Sequence, residues 1–251
     1  MVPASERPMP TKTASIIIIG NEILTGKTRE KNSEFLIDEL HRLGIALRRI
    51  VVIPDDIEEI ARVVREHAAR FDYVFTSGGV GPTHDDLTIA GVARAFGRAI
   101  VRDARLEALI RELFGDGLDE ARMRMADTPE GSELIAAEGL RWPVVVTENV
   151  YIFPGVPEIL RSKFTAIRER FRTTPYRTTS VYTQEDEFDL APRLSRVAAE
   201  HPDVEIGSYP TFGREEYRVR ITLEARETAA VQSALSDLLK NLDPNRLVRI
   251  E

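Results

Sequence analysis

The chain contains no cysteine, which excludes disulfides, thiolate metal sites and thiol nucleophiles. It has no long hydrophobic run either: stretches such as Ile16–Ile19 are far too short to span a bilayer, so no membrane partner is expected. Met1–Lys12 holds three prolines and no apolar segment of the kind a secretory signal needs. The expectation is a disordered N-terminus over residues 1–13 on a cytoplasmic protein. A basic footprint is missing as well. Lys and Arg number 34 against 41 Asp and Glu, a formal net charge of −7, so nucleic acid is a poor partner.

What the chain does have is the composition of a self-folding globular protein. Hydrophobic residues make up 43% and charged residues 30% of 251 positions, enough for one large domain or an ordinary domain plus a small one. From Ala14 onward, short β-branched runs alternate with amphipathic stretches, the pattern of βαβ units and a largely parallel sheet. Strands are predicted at 14–19, 46–53 and 72–76. Helices are predicted from Asn32 as cap to Gly44 as left-handed stop, then over 57–70, 87–96 and 104–114. Residues 115–141 are polar, hold four glycines and show no clear period, so a partly helical excursion is expected there. Two short strands at 143–147 and 150–153 precede a helix over 158–171. After a polar linker at 172–175, strands at 178–183, 204–209 and 217–223 with helices at 188–200 and 228–242 read as a separate small module. The predicted architecture is a three-layer α/β domain over 14–171 and an α+β module over 176–251.

The strongest local signal is the run from Thr76 and Ser77 through Gly78, Gly79, Val80, Gly81, Pro82, Thr83, His84, Asp85, Asp86 and Leu87 to Thr88, between a strand and a helix. Three glycines let backbone N–H groups approach a phosphate without Cβ obstruction, and a helix N-terminus adds partial positive charge. The crevice beyond the carboxyl ends of parallel strands is also where ligands bind. Asp85 and Asp86 would repel a phosphate unless a divalent cation lay between them. One of the pair is expected to cap the helix and the other to act at the site.

Three more polar clusters follow strands. Gly20, Asn21 and Glu22, with Asn32 further on, leave the first strand and suit a turn and a helix cap, yet the ends of the first and third strands can be neighbours, so Glu22 can face Asp86. Pro54, Asp55 and Asp56 follow the second strand, and a capping role weighs evenly against a site role for Asp55 or Asp56. Pro154-Gly155-Val156-Pro157 is expected to shape a wall, with Gly155 allowing close approach. His41 and His67 lack a second ligand at metal spacing and read as surface or core histidines. Trp142 suits packing more than stacking.

Taken together, these clusters resemble the molybdopterin-binding-domain superfamily over about Ala14–Phe171. The run Gly-Gly-Val-Gly-Pro-Thr-x-Asp-Asp-Leu-Thr is similar to the CinA, competence/damage-inducible, family. Trp142-Pro143-Val144, the run 149–157, Gly207-Ser208-Tyr209-Pro210 and Tyr217-Arg218-Val219 resemble the corresponding domains of eukaryotic FAD synthases. The resemblance implies a divalent-metal-dependent pyrophosphatase on adenine dinucleotides, FAD or ADP-ribose, releasing AMP. Glu22 and Asp86 would be catalytic and, with Asp85, hold Mg, Mn or Co. The phosphates and nucleotide would be bound by Gly20, Asn21, Asn32, Asp55, Thr76, Ser77, Gly78, Gly79, Gly81, Thr83, Thr88, Pro154 and Gly155. A homo-oligomer, most simply a dimer, is also implied. The chain departs from the CinA pattern at Arg122–Ala126, where an Asn-x-x-x-Ala run is usual, and at Asn21, where Asp is common. A second reading is a molybdopterin- or nucleotide-binding module without turnover. An RNA-binding reading of the C-terminal module has no Gly-x-x-Gly loop or basic groove behind it.

Overall fold

A computed structural model describes residues 11–115, 117–213 and 216–251, which form two compact units meeting in sequence between Thr173 and Thr174. The first opens with strand β1 (Thr13–Ile19), a short turn of helix α1 (Asn21–Leu24), helix α2 (Asn32–Arg42), strand β2 (Ala46–Ile53), helix α3 (Ile57–Arg70) and strand β3 (Tyr73–Ser77). Helix α4 (Thr88–Phe96), strand β4 (Ile100–Arg102), helices α5 (Ala104–Phe114) and α6 (Glu120–Arg124), and strands β5 (Asp127–Pro129) and β6 (Glu133–Ile135) follow. The unit closes with strands β7 (Val144–Thr147) and β8 (Val150–Phe153), helix α7 (Pro157–Ile167) and a 3-10 turn at Arg168–Phe171.

The central sheet runs β2-β1-β3-β8-β7-β6; β1, β2, β3 and β8 are mutually parallel, and β7 is antiparallel to both of its neighbours. Alternation in β1 sets the layers. Ile16 and Ile18 pack with Leu36, Leu40, Leu160 and Phe164 from α2 and α7, while Ile17 and Ile19 pack with Ile60, Val64, Val92 and Leu106 from α3, α4 and α5. The chain is therefore α/β, with helices on both faces of a mostly parallel sheet. Asn149, in the β7–β8 turn, donates from Nδ2 to the carbonyls of Ala68 and Phe71 at 3.0 and 2.8 Å, which satisfies the open end of α3.

The second unit comprises strand β9 (Arg177–Thr183), helix α8 (Glu187–Glu200), strands β10 (Glu205–Pro210) and β11 (Val219–Ala225), helix α9 (Thr228–Leu239) and strand β12 (Leu247–Ile250). Its sheet, β10-β11-β9-β12, is antiparallel throughout, and β11 alternates buried and half-buried positions. Val181, Val219, Ile221 and Leu223 meet Leu190, Val197, Val231 and Leu238 of the two helices.

Several expectations need correction. The disordered segment expected at 1–13 falls outside the described residues up to position 10, but Thr13 already belongs to β1, and Lys12 pairs with Asp72 at 2.7 Å. The partly helical excursion at 115–141 also contains strands: β5 pairs with β4, and β6 joins the main sheet. β12, unpredicted, completes the small sheet. Neither Asp85 nor Asp86 caps α4, whose N-cap is Leu87 with no side-chain bond. Asn32 does not cap α2. Glu30 takes that role, accepting from the backbone N–H of Asn32 at 2.5 Å and of Ser33 at 3.0 Å.

His67, on α3, is a core histidine, 1% exposed, with Nδ1 3.1 Å from Ser15 Oγ and Nε2 unpartnered. Burial, reinforced by the Arg49 charge, pushes its imidazole down from 6.5 to about 4. The unfolded chain thus binds the extra proton between those values. Stability from this residue is fully present above pH 6.5 and is lost as pH falls towards 4. Denaturant unfolding at pH 7 and 4.5 should show a loss of about 2 kcal/mol in the wild type that is absent from His67→Gln. Equal losses in both proteins would mean that the histidine does not titrate as its burial requires.

Candidate functional site

A cavity of about 950 Å³ lies in the first unit at the carboxyl ends of β1, β3 and β8. Its polar side is built by close backbone approach. Gly78 has φ +108, and a Cβ there would sit 2.1 Å from the Ile19 carbonyl oxygen, so the loop after β3 lies directly on the end of β1 only because position 78 has no side chain. Gly79 has φ +62, and its hypothetical Cβ would meet Thr88 Oγ1 at 2.5 Å. Thr88 fastens the loop from the other side, donating from Oγ1 to the Gly78 carbonyl at 2.7 Å and from its N–H to the Gly79 carbonyl at 2.9 Å.

Asn32, at the start of α2, joins the ends of two strands. With its backbone N–H held by Glu30, its side chain is free to cross the crevice, where Nδ2 donates to Ser77 Oγ and to the Gly155 carbonyl, both at 2.8 Å. Its Oδ1 is buried and unpartnered, on a residue that lines the cavity. An acceptor left in that state suits a donor brought by a ligand.

Of the residues singled out in the sequence, Glu22, Asn32, Ser77, Gly78, Gly79, Gly81, Thr83, Asp86, Pro154 and Gly155 line the cavity. Gly20, Asn21, Asp55, Thr76, Asp85 and Thr88 stand behind the wall or beside it. Asp55 accepts from the Asn21 N–H at 2.7 Å and so holds the turn after β1, while Asp56 caps α3 by accepting from Glu59 N at 2.8 Å. Thr76 is buried within β3 and its hydroxyl has no partner. Asp86 folds over the loop, its Oδ2 accepting from Thr83 N at 2.8 Å and Thr83 Oγ1 at 2.5 Å; a Cβ on Gly81 would meet this oxygen at 2.7 Å. Its Oδ1 makes no hydrogen bond to a described residue. Glu22 lies against Gly20, where a Cβ would meet its carboxylate at 2.5 Å. Glu22, Asp85 and Asp86 do not bring their carboxylate oxygens within 4.8 Å of one another as a group.

The opposite side of the cavity is apolar. Ile100, Leu113, Phe114, Met125 and Trp142 line it, so Trp142 both packs against the α3/α4/α5 core and faces the space where a ring would lie. Lys163 was not singled out in the sequence, although a signal existed. With Leu160, Phe164 and Ile167 it follows the i, i+3, i+4, i+7 spacing of a core face, where a lysine is out of place. It lines the cavity at 7% exposure and donates from Nζ to the Pro143 carbonyl at 2.7 Å, and burial lowers its pKa from 10.5 to about 8.

Residues 15–172, which contain this whole site, match the family model described as "Probable molybdopterin binding domain". The chain belongs to that family. Residues 175–251 continue the molybdopterin-binding-type domain with a match to the model described as "FAD synthase, middle domain". Among relatives, a protein of Archaeoglobus fulgidus is 35% identical over 231 residues, covering 92% of this chain and 98% of the relative. A "Probable FAD synthase" of Caenorhabditis elegans is 35% identical over 255 residues, covering 90% of this chain and 49% of that protein. A second such protein, from Caenorhabditis briggsae, is 36% identical over 92% of this chain and 50% of its own length, so the chain spans about half the length of these two relatives. Among solved structures, the CinA protein of Thermoplasma acidophilum, described as of unknown function, is 34% identical with a TM-score of 0.59, covering 64% of this chain and 98% of that one. Molybdopterin-binding-type domains thus supply the fold of the first unit. Among the described residues no helix is long and apolar enough to cross a membrane.

The bridge from Asn32 gives a direct test of how the walls are held together. Asn32→Ala leaves the Gly155 carbonyl and Ser77 hydroxyl short of a donor at a cost of about 1–3 kcal/mol. Each kcal/mol lowers Tm by about 2–4 °C in a domain of this size. Calorimetry should show that drop; an unchanged melting temperature would mean that the bridge does not hold the walls.

Proposed function

We propose that the chain is a divalent-metal-dependent pyrophosphatase acting on adenine dinucleotides, with FAD or ADP-ribose as substrate and AMP as product. The observation that carries this reading is the two-sided cavity. Loop amides stripped of Cβ obstruction and a helix N-terminus lie on one side, an apolar wall with Trp142 on the other, in a volume at the upper end of small-molecule sites. Such a space suits a ligand with phosphates at one end and a flat ring at the other. The likeness to proteins named as FAD synthases supports the choice of dinucleotide.

In this reading the amides of Gly79 and Gly81 bind a phosphate, the Gly78 N–H being already committed to the Phe153 carbonyl at 3.1 Å. The unpartnered Asn32 Oδ1 accepts from a ligand hydroxyl or amine, and the apolar wall excludes water from the ring end. The carboxylates fit a cation. Glu22 lines the cavity with a carboxylate that makes no hydrogen bond to a described residue, and Asp86 keeps Oδ1 uncommitted while Thr83 fixes Oδ2. Glu22 and Asp86 would hold the metal; Asp85, off the cavity lining, would at most stand behind it. A bound divalent cation neutralises phosphate charge and lowers the pKa of a water it holds. The molybdopterin-binding domain implies a second reading, a pterin or nucleotide binder without turnover. The ungathered state of Glu22, Asp85 and Asp86 favours it. Assembly as a homodimer belongs to the first proposal through the family likeness alone.

The test is AMP release from FAD and ADP-ribose with Mg, Mn or Co. Asp86→Asn should retain the fold, because the Asn side-chain carbonyl still accepts from Thr83, yet lower turnover by about 100-fold or more, as should Glu22→Gln. Wild-type binding without AMP release would decide for the binder, and undiminished turnover in Asp86→Asn would remove that residue from the metal set.

A further inference from the structure

Lys163 carries a buried cation in the cavity wall, and no described carboxylate neutralises it. Its pKa is moved by burial alone, without a charged neighbour, and its only acceptor among the described residues is the Pro143 carbonyl at 2.7 Å. An ammonium has three donors, so two remain after Pro143. Taking such a group out of water without a counter-ion costs several kcal/mol. Even so, with a pKa of about 8, the side chain is still mostly charged at pH 7. The other basic residues of the cavity, Arg29, Lys31 and Arg124, are exposed, where solvent and salt screen them; they can steer an anion but hold it weakly.

The place of Lys163 in the fold separates it from the glycine loop. The loop follows β3 and is tied to α4, whereas Lys163 belongs to α7 on the opposite face of the sheet and reaches the start of β7, two strands from β3. A phosphate held by the loop amides therefore leaves Lys163 for another group. We propose that Lys163 binds a second phosphoryl group of the ligand, so that the cavity selects nucleotides bearing a pyrophosphate over nucleoside monophosphates. The choice of phosphate as the anion rests on the dinucleotide reading above. That an anion is received there rests on the buried charge.

Calorimetric titration with ADP and AMP at pH 7 and low salt tests this without any turnover. The wild type should bind ADP at least tenfold more tightly than AMP. Lys163→Met should lower ADP affinity about tenfold or more, the scale of a hydrogen bond to a charged group, and change AMP affinity by less than about threefold. Lys163→Gln, which keeps an N–H for the Pro143 carbonyl and so guards against a folding defect, should lose the ADP preference in the same way. The proposal is overturned if either folded variant keeps the wild-type ADP-to-AMP ratio. It is equally overturned if the wild type binds the two nucleotides alike or binds neither. Failure to release AMP from FAD would remove the hydrolase reading while leaving a lost ADP preference in place, so the two failures are distinguishable.

Discussion

One side-chain amide governs the geometry of this site. Asn32 sits at the first turn of α2, and its two N–H donors reach Ser77 at the end of β3 and Gly155 beyond the end of β8. Three segments far apart in sequence are thereby fixed at hydrogen-bond precision. An aspartate would present a carboxylate to a carbonyl there, and a serine would be too short. The bridge is possible only because Glu30 has taken over the helix cap, which frees the asparagine from the role its position invites.

Around that bridge the site relies on the removal of side chains as much as on their presence. Gly78 permits contact with the end of β1, and Gly155 lies so near that a Cβ would be 3.4 Å from Gly78 Cα. The glycines are thus spacers that set the distance between strand ends, and while the Gly78 amide is spent on the Phe153 carbonyl, that of neighbouring Gly79 is left open to a ligand as a by-product of packing. The same economy places an uncompensated lysine opposite them. Affinity for an anion is stored as unfavourable burial in the ligand-free protein.

Much of this was legible in the sequence because the alternating pattern is strong where the strands are buried on both faces. β1, β3 and β8 carry the site, and each is a compact β-branched or aromatic run followed by glycine or proline. The elements that escaped notice are the short ones. β5 and β6 have three residues each, too few to show a period, and their existence depends on partners in β4 and β7. The capping expectations for Asn32 and Asp86 failed for a shared reason: propensity describes what a side chain can do locally, and here tertiary partners at 45 or more positions' distance for Asn32, and a turn three residues back for Asp86, offered more. Lys163 was passed over because a single lysine on a helix is ordinarily solvated; only its phase with Leu160 and Phe164 marks it as internal.

The order of strands has a consequence for how the protein comes into being. β8 is inserted between β3 and β7, and the residues it pairs with on β3 precede it by 76 positions in the chain. Until it is synthesised, a nascent chain holds β3 as an open edge, with the Phe75 ring lacking Tyr151, Phe153, Phe164 and Phe171 as neighbours. The hairpin of β7 and β8 forms locally, and its docking against β3 pays the loop-closure entropy of the whole intervening segment. The cavity, whose walls include Gly155 and Lys163, is therefore among the last features to appear, and a ribosome releasing the first half of this domain presents the cell with an aromatic sheet edge rather than an enclosed pocket.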